Sequence, residues 1–111
     1  MSCLSKDYRL NSQKDFSRIY KSGKNWHTAS FVAFFIPNST LKIAFVASKK
    51  LGNAVDRNRA KRRLRAGLLG FEDKFISGHY VFVAKQTLEN RNFLELQKDF
   101  NFALKRLELL K

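Results

Sequence analysis

A chain of 111 residues suits one domain, and 44% hydrophobic residues is enough for a modest core. Its 22 lysines and arginines against 9 acids give a net charge of +13, a self-repulsion that weakens the compact state unless a polyanion offsets it. No stretch approaches the roughly 20 apolar residues of a membrane-spanning helix. No apolar run follows a basic start, so no secretory signal is expected. The lone Cys3 permits neither an internal disulfide nor a zinc cluster. These features favour a cytoplasmic, nucleic-acid-binding domain over residues 1–111.

In chain order, residues 1–11 read as polar, basic and irregular, apart from Leu4, Tyr8 and Leu10. Ser12, three residues before Asp15, approximates a capping pattern. It predicts a first helix over 13–21, with Phe16, Ile19 and Tyr20 on one face and Gly23 as the residue that ends it. The apolar runs 30–36 (SFVAFFI) and 41–47 (LKIAFVA) flank Pro37-Asn38-Ser39-Thr40, a strong turn signal. This predicts two antiparallel strands joined as a hairpin. A turn over 49–53 leads into a second helix, 54–69. Residues 80–84 (YVFVA) read as a third, buried strand, which can lie parallel to the strand before the helix. Asn92, with Glu95 three residues on, opens a last helix whose Phe93, Leu96, Phe100, Ala103, Leu107 and Leu110 recur at core spacing. The fold class is therefore α+β, a single mixed domain in the order α-β-β-α-β-α, one sheet with helices packed on it and room for small additional strands.

The segment 49–65 holds eight basic residues and one acid, Asp56, a net +7. On a helix, Ala60, Leu64, Leu68 and Phe71 form a docking row. Arg57, Lys61 and Arg65 form a second row beside it, and Arg62 and Arg63 broaden the charge. Like charges four residues apart disfavour this helix in isolation, and a phosphate backbone reverses that sign. Arginine prevails over lysine here. Its planar fork makes paired hydrogen bonds to phosphate oxygens and stacks on bases. Asn58, between two arginines, can both donate and accept. Gly52 suits a positive φ or a close backbone approach as well as an ordinary turn. A solvated charge run is the bland alternative, but +7 in 17 residues with arginine in excess points to nucleic acid.

In the strand 31–36, Phe31, Ala33 and Phe35 point one way and Val32, Phe34 and Ile36 the other. Rings left uncovered beside cations make a stacking platform for single strands. Core packing is the usual fate of such rings, and spacing alone leaves both readings open. His27 and His79 stand alone, without a carboxylate pair, nucleophile motif or glycine-rich phosphate loop. No catalytic residue is expected in the protein itself.

Residues 48–65, SKKLGNAVDRNRAKRRLR, resemble the signature of the bacterial ribonuclease P protein subunit: a basic pair, G-N-A-V, a variable residue, R-N-R, a variable residue and K-R. Arg9-Leu10, Asp15-Phe16, Tyr20, Gly23, the strand 31–36 and the run 80–84 agree in order. The resemblance implies a single-domain α/β sandwich, a ribosomal protein S5 domain 2-like fold with a left-handed βαβ crossover, against the common right-handed rule. It implies a partner RNA that cleaves the 5′ leader from precursor tRNA with Mg²⁺ held mainly by that RNA. By position, it implies RNA contacts from Lys49, Lys50, Asn53, Arg57, Asn58, Arg59, Lys61, Arg62 and Arg65. Phe16, Tyr20 and Phe34 would line a cleft for the leader. The chain departs from the family at His79 and Lys85, where Asp and Arg are frequent. Tyr20 and Phe34 sit where relatives often carry the other aromatic. A structural ribosomal RNA-binding protein and a nuclease acting alone are the rival readings.

Overall fold

The structure, a computed structural model, describes residues 9–10, 13–71 and 74–111. Helix α1 (Gln13–Ser22) leads into four strands, β1 (Lys24–His27), β2 (Phe31–Pro37), β3 (Lys42–Val46) and β4 (Gly78–Ala84). Helix α2 (Ala54–Leu69) lies between β3 and β4, and α3 (Phe93–Arg106) follows β4. Short 3-10 turns at Lys49–Leu51 and Gln86–Asn90 introduce α2 and α3. The Ser12 cap, Cys3, Leu4 and Tyr8 lie outside the described residues.

The sheet order is β1-β2-β4-β3. The predicted hairpin between β2 and β3 is therefore corrected: the two strands are not partners, because β4 runs between them. It pairs antiparallel with β2 and parallel with β3. The turn itself forms, with Asn38 Oδ1 accepting from the Thr40 N–H at 3.0 Å. The physical reason for the insertion lies in β4, whose residues are buried on both faces except Val83. A strand apolar on both sides gains most from a central position. The parallel β3–α2–β4 unit is as the order of elements predicts. Strand β1, four residues with three exposed, is a small additional strand at a position that the sequence does not mark; it pairs antiparallel with β2 at the far edge.

Alternation along the strands creates two different faces. On one, Phe31, Ala33, Phe35, Ile43, Tyr80, Phe82 and Ala84 form a core with Ala60, Leu64 and Leu68 of α2 and Leu96, Phe100, Ala103 and Leu104 of α3. Its rings interlock, with Phe31 and Phe100 centroids 4.4 Å apart and Phe82 and Phe100 at 5.2 Å. On the other face Leu10, Ile19, Ala44 and Val81 form a smaller cluster. Leu10 is drawn to the β3 edge by its N–H, which donates to Ile43 O at 3.0 Å.

Helix ends follow their sequence signals with two amendments. Asn53 and Asn92 each accept from the N–H three residues on, and Asp56 and Glu95 reciprocate, so both α2 and α3 begin with complete capping boxes. Gly23 does follow α1, but not in a left-handed conformation. A Cβ there would stand 2.5 Å from Ile19 O and 2.8 Å from Phe35 O, so close backbone approach is what requires glycine. In α3 the docking row holds at Leu96, Phe100, Ala103 and Leu107, but Phe93, the first helical residue, is 50% exposed and Leu104 takes the fourth buried place on the helix.

Candidate nucleic-acid interface

Helix α2 buries Ala60, Leu64 and Leu68 against the sheet and leaves its other sides to the cations. Phe71, the last of the predicted docking row, is half-buried against the same core. Asn58, Arg59, Arg62 and Arg65 are exposed, and Arg57 and Lys61 are half-buried along one flank. Arg65 closes that flank with its guanidinium 5.8 Å from the centre of the Phe45 ring, a cation–π contact that orients the side chain without spending its N–H donors.

The opposite flank is different in kind. Arg63, expected to broaden the cationic surface, turns inward. It donates to Leu88 O at 2.6 Å and to Arg91 O, tying α2 to the Gln86–Asn90 turn. Its donors are committed to backbone carbonyls, so it serves the fold. Beside it, Leu51, Ala60 and Leu88 floor a hollow rimmed by Asp56, Arg59, Lys85 and Glu89.

Lys49 and Lys50 are exposed on the turn that precedes α2. The turn is pinned by Gln86, whose amide donates to Lys50 O at 2.8 Å. Gly52 has φ 127°, which confirms the positive-φ reading; a Cβ there would also collide with Asp56 Oδ2. Asn53 is exposed, yet its Oδ1 is engaged by the Asp56 N–H at 3.0 Å. Its clear role is to start the helix, and only its amide NH2 remains for a ligand. Asp56, the one acid of the motif, accepts from Asn53 N and so sits where the helix dipole favours it.

Phe16, Tyr20 and Phe34 come together on the other face of the sheet. Ring centroids are 6.3 Å apart for Phe16 and Tyr20, and 5.0 Å for Tyr20 and Phe34, the latter edge to face. Tyr20 is 45% exposed, and partial burial pushes its hydroxyl pKa up, so it stays a neutral donor. Phe16, Phe34, Val46 and Val83 are half-buried around the small cluster, as is Val32, which pairs with Val83. Helix α1 covers part of this face, and these side chains form an apolar strip beside it. The sequence places Val32 on the Phe34 side but does not single out Val46 or Val83, because only strand register brings the three valines into one row.

The cations of α2 thus do not lie beside these rings, as a single platform would require; the sheet separates them. On the ring side α1 carries the exposed cations Lys14, Arg18 and Lys21, and alternation along β3 puts Lys42 on the face of Ala44 and Val46. At its margin His79 is buried, with Nε2 3.3 Å from Thr40 Oγ1 and Nδ1 without a hydrogen-bond partner. Burial lowers its pKa; Asp15 opposes the shift, and Arg18 and Lys42 add to it. Among the described residues no group of three His, Cys, Asp or Glu side chains is placed to hold a metal ion. No helix among them is long and apolar enough to cross a membrane.

Known proteins share this fold. The family model described as Ribonuclease P matches residues 4–108. The ribonuclease P protein component of a Nitratiruptor species is 41% identical over 99 residues, covering 89% of this chain and 91% of that protein. The solved RNase P protein of Staphylococcus aureus superposes with a TM-score of 0.82 at 29% identity, covering 94% of this chain and 98% of that one. That of Thermotoga maritima gives 0.77 at 28%, covering 88% and 96%. A capped arginine helix on one side of a mixed sheet, an open aromatic strip on the other and agreement over nearly the whole length leave one assignment: the chain belongs to the ribonuclease P protein family, the protein component of an RNA-based endoribonuclease.

Proposed function

We propose that this chain binds the catalytic RNA of ribonuclease P with one side and the single-stranded 5′ leader of precursor tRNA with the other, in the cytoplasm. The observation that carries this reading is the two-sided build: outward arginines around α2, and a half-open cluster of three rings across the sheet from them. Arg57, Arg59, Lys61, Arg62 and Arg65, with Lys49 and Lys50 on the preceding turn, offset phosphate repulsion in the catalytic RNA. Asn58 offers donor and acceptor together to a base edge or a ribose hydroxyl. Asn53 contributes chiefly by starting the helix that presents them.

Phe16, Tyr20 and Phe34 offer faces to unstacked leader bases. Stacking tolerates any base, which suits leaders of varied sequence. Mature tRNA lacks the leader, so this contact raises affinity for the precursor alone. The one acid of the basic motif is engaged in a capping box at the start of α2, which keeps its carboxylate at the helix N-terminus, away from Lys61, Arg62 and Arg65. In this reading Mg²⁺ and bond cleavage belong to the RNA. The chain's part in the Mg²⁺ requirement is indirect, since neutralised phosphates need fewer divalent counterions.

The deciding experiment adds the purified chain to a ribonuclease P RNA at low Mg²⁺ with precursor tRNA. Cleavage at the 5′ end of the mature sequence should rise well above that of RNA alone. No gain would sink the proposal. Binding without any gain would favour a structural RNA-binding role, and cleavage by the protein alone would favour a nuclease.

A further inference from the structure

The outward side of α3 carries a pattern that neither the arginine helix nor the ring cleft uses. Leu94, Lys98, Phe102 and Arg106 follow one another four residues apart, so they form a single row along the helix. Leu94 is 68% exposed and Phe102 54%, and Arg106 is exposed at the end of the row. Apolar and cationic side chains alternate along it. The helix's acids Glu95 and Asp99 are drawn to its other flank, where Arg91 holds Glu95 at 3.1 Å and Asp99 at 3.0 Å.

Strand β1 completes the surface. Trp26 pairs with Ala33 and Lys24 with Phe35, so both point to the face on which α3 lies. The Trp26 ring is 5.9 Å from that of Phe102, and the Arg106 guanidinium lies 4.8 Å from its centre. Two aromatic rings and a guanidinium stacked on one of them therefore meet at the β1 edge, with Lys24 on the same strand face and the exposed Lys98 one turn along the helix row from Phe102. In the sheet order this edge is the opposite one from β3, which leads into α2.

We infer that the Trp26–Phe102–Arg106 surface is a second contact for single-stranded RNA, separate from both the arginine helix and the ring cleft. Phe102 offers a stacking face. Arg106 is held over Trp26, with its N–H groups left for a phosphate. The flanking lysines track the backbone. Charge selects the occupant: a polyanion is attracted here, whereas a second copy of the chain would bring +13 against +13.

Trp26 is the chain's only tryptophan, so its emission reports this surface alone. The test titrates a short oligoadenylate into the full-length chain. We expect quenching of Trp26 emission, and binding weakened on the order of tenfold in the double variant Phe102→Ala, Arg106→Ala. Phe102→Tyr keeps a ring and should bind as the parent does, which separates stacking from damage to the fold. Unquenched emission at saturation, equal affinity in the double variant, or equal losses for Phe102→Tyr and Phe102→Ala would each overturn the inference. So would a self-association abolished by Phe102→Ala, which would assign the surface to a second copy. The low-Mg²⁺ cleavage assay keeps the two readings apart: stimulation retained with no quenching defeats only this inference, and the reverse result defeats only the proposed function.

Discussion

The two faces of the sheet are built from similar residues and end differently. One buries Phe31, Phe35, Tyr80 and Phe82 completely beneath α2 and α3. The other, among the described residues, is covered by α1 and Leu10, which leave Phe16 of the helix and Phe34, Val46 and Val83 of the sheet half-covered. Aromatic strands alone therefore do not mark a binding platform. What marks one is a shortage of covering helix. The same lesson applies within α2, where Arg62 faces solvent and its neighbour Arg63 is consumed by two backbone carbonyls.

The widest gap between the faces should appear on removing a ring. Phe82→Ala on the packed face should cost about 3–5 kcal/mol of stability by urea unfolding, since the interlocked rings cannot collapse into the void. A loss near that expected of an exposed ring would break the comparison. Next, Arg63→Ala should cost about 2 kcal/mol by leaving Arg91 O unpaired and Leu88 O with only the Arg91 N–H, with the salt dependence of RNA binding nearly intact. Arg62→Ala should do the reverse, sparing stability and lowering the slope of log affinity against log salt by about one. Identical behaviour of the two variants would abolish the distinction between the flanks of α2. Tyr20→Ala should lower affinity for leader-bearing precursor by about 1–3 kcal/mol and spare mature tRNA, measured by competition. Equal losses for both would make Tyr20 merely part of the fold.

The smallest effect concerns His79. Burial lowers its folded-state pKa below the ordinary 6.5, so between the two values the unfolded chain binds more protons. Stability from this group is then fully present above pH 6.5 and falls as pH drops below it. His79→Asn should flatten that segment of the stability–pH curve. An unchanged slope would show that His79 does not titrate differently on folding.

Much of this was legible from residue order because it depends on near neighbours. The span of α2, its docking row Ala60–Leu64–Leu68 and the capping of α3 by Asn92 and Glu95 are set within a turn or two of helix. The split of Phe31, Ala33 and Phe35 from Val32, Phe34 and Ile36 is likewise a local consequence of strand geometry. The position of strand β1 was missed because its exposed residues carry no periodic signal and the strand exists by pairing with β2. The hairpin was misplaced because a turn fixes chain reversal, while partnership depends on which strand gains most from the centre.

Sequence by itself determined that the chain carries a dense cationic helix with a docking stripe, and which family it resembles, since charge, periodicity and motif spacing are local properties. Tertiary structure alone decided which cations remain available, because Leu88 O and Arg91 O, contacts 25 and 28 residues away from Arg63, remove it from the surface. It also decided that the rings of the cleft and the arginines of α2 stand on opposite sides. That follows from the docking of α1 and α2 on opposite faces of one sheet, a long-range choice of packing that no short stretch of sequence encodes.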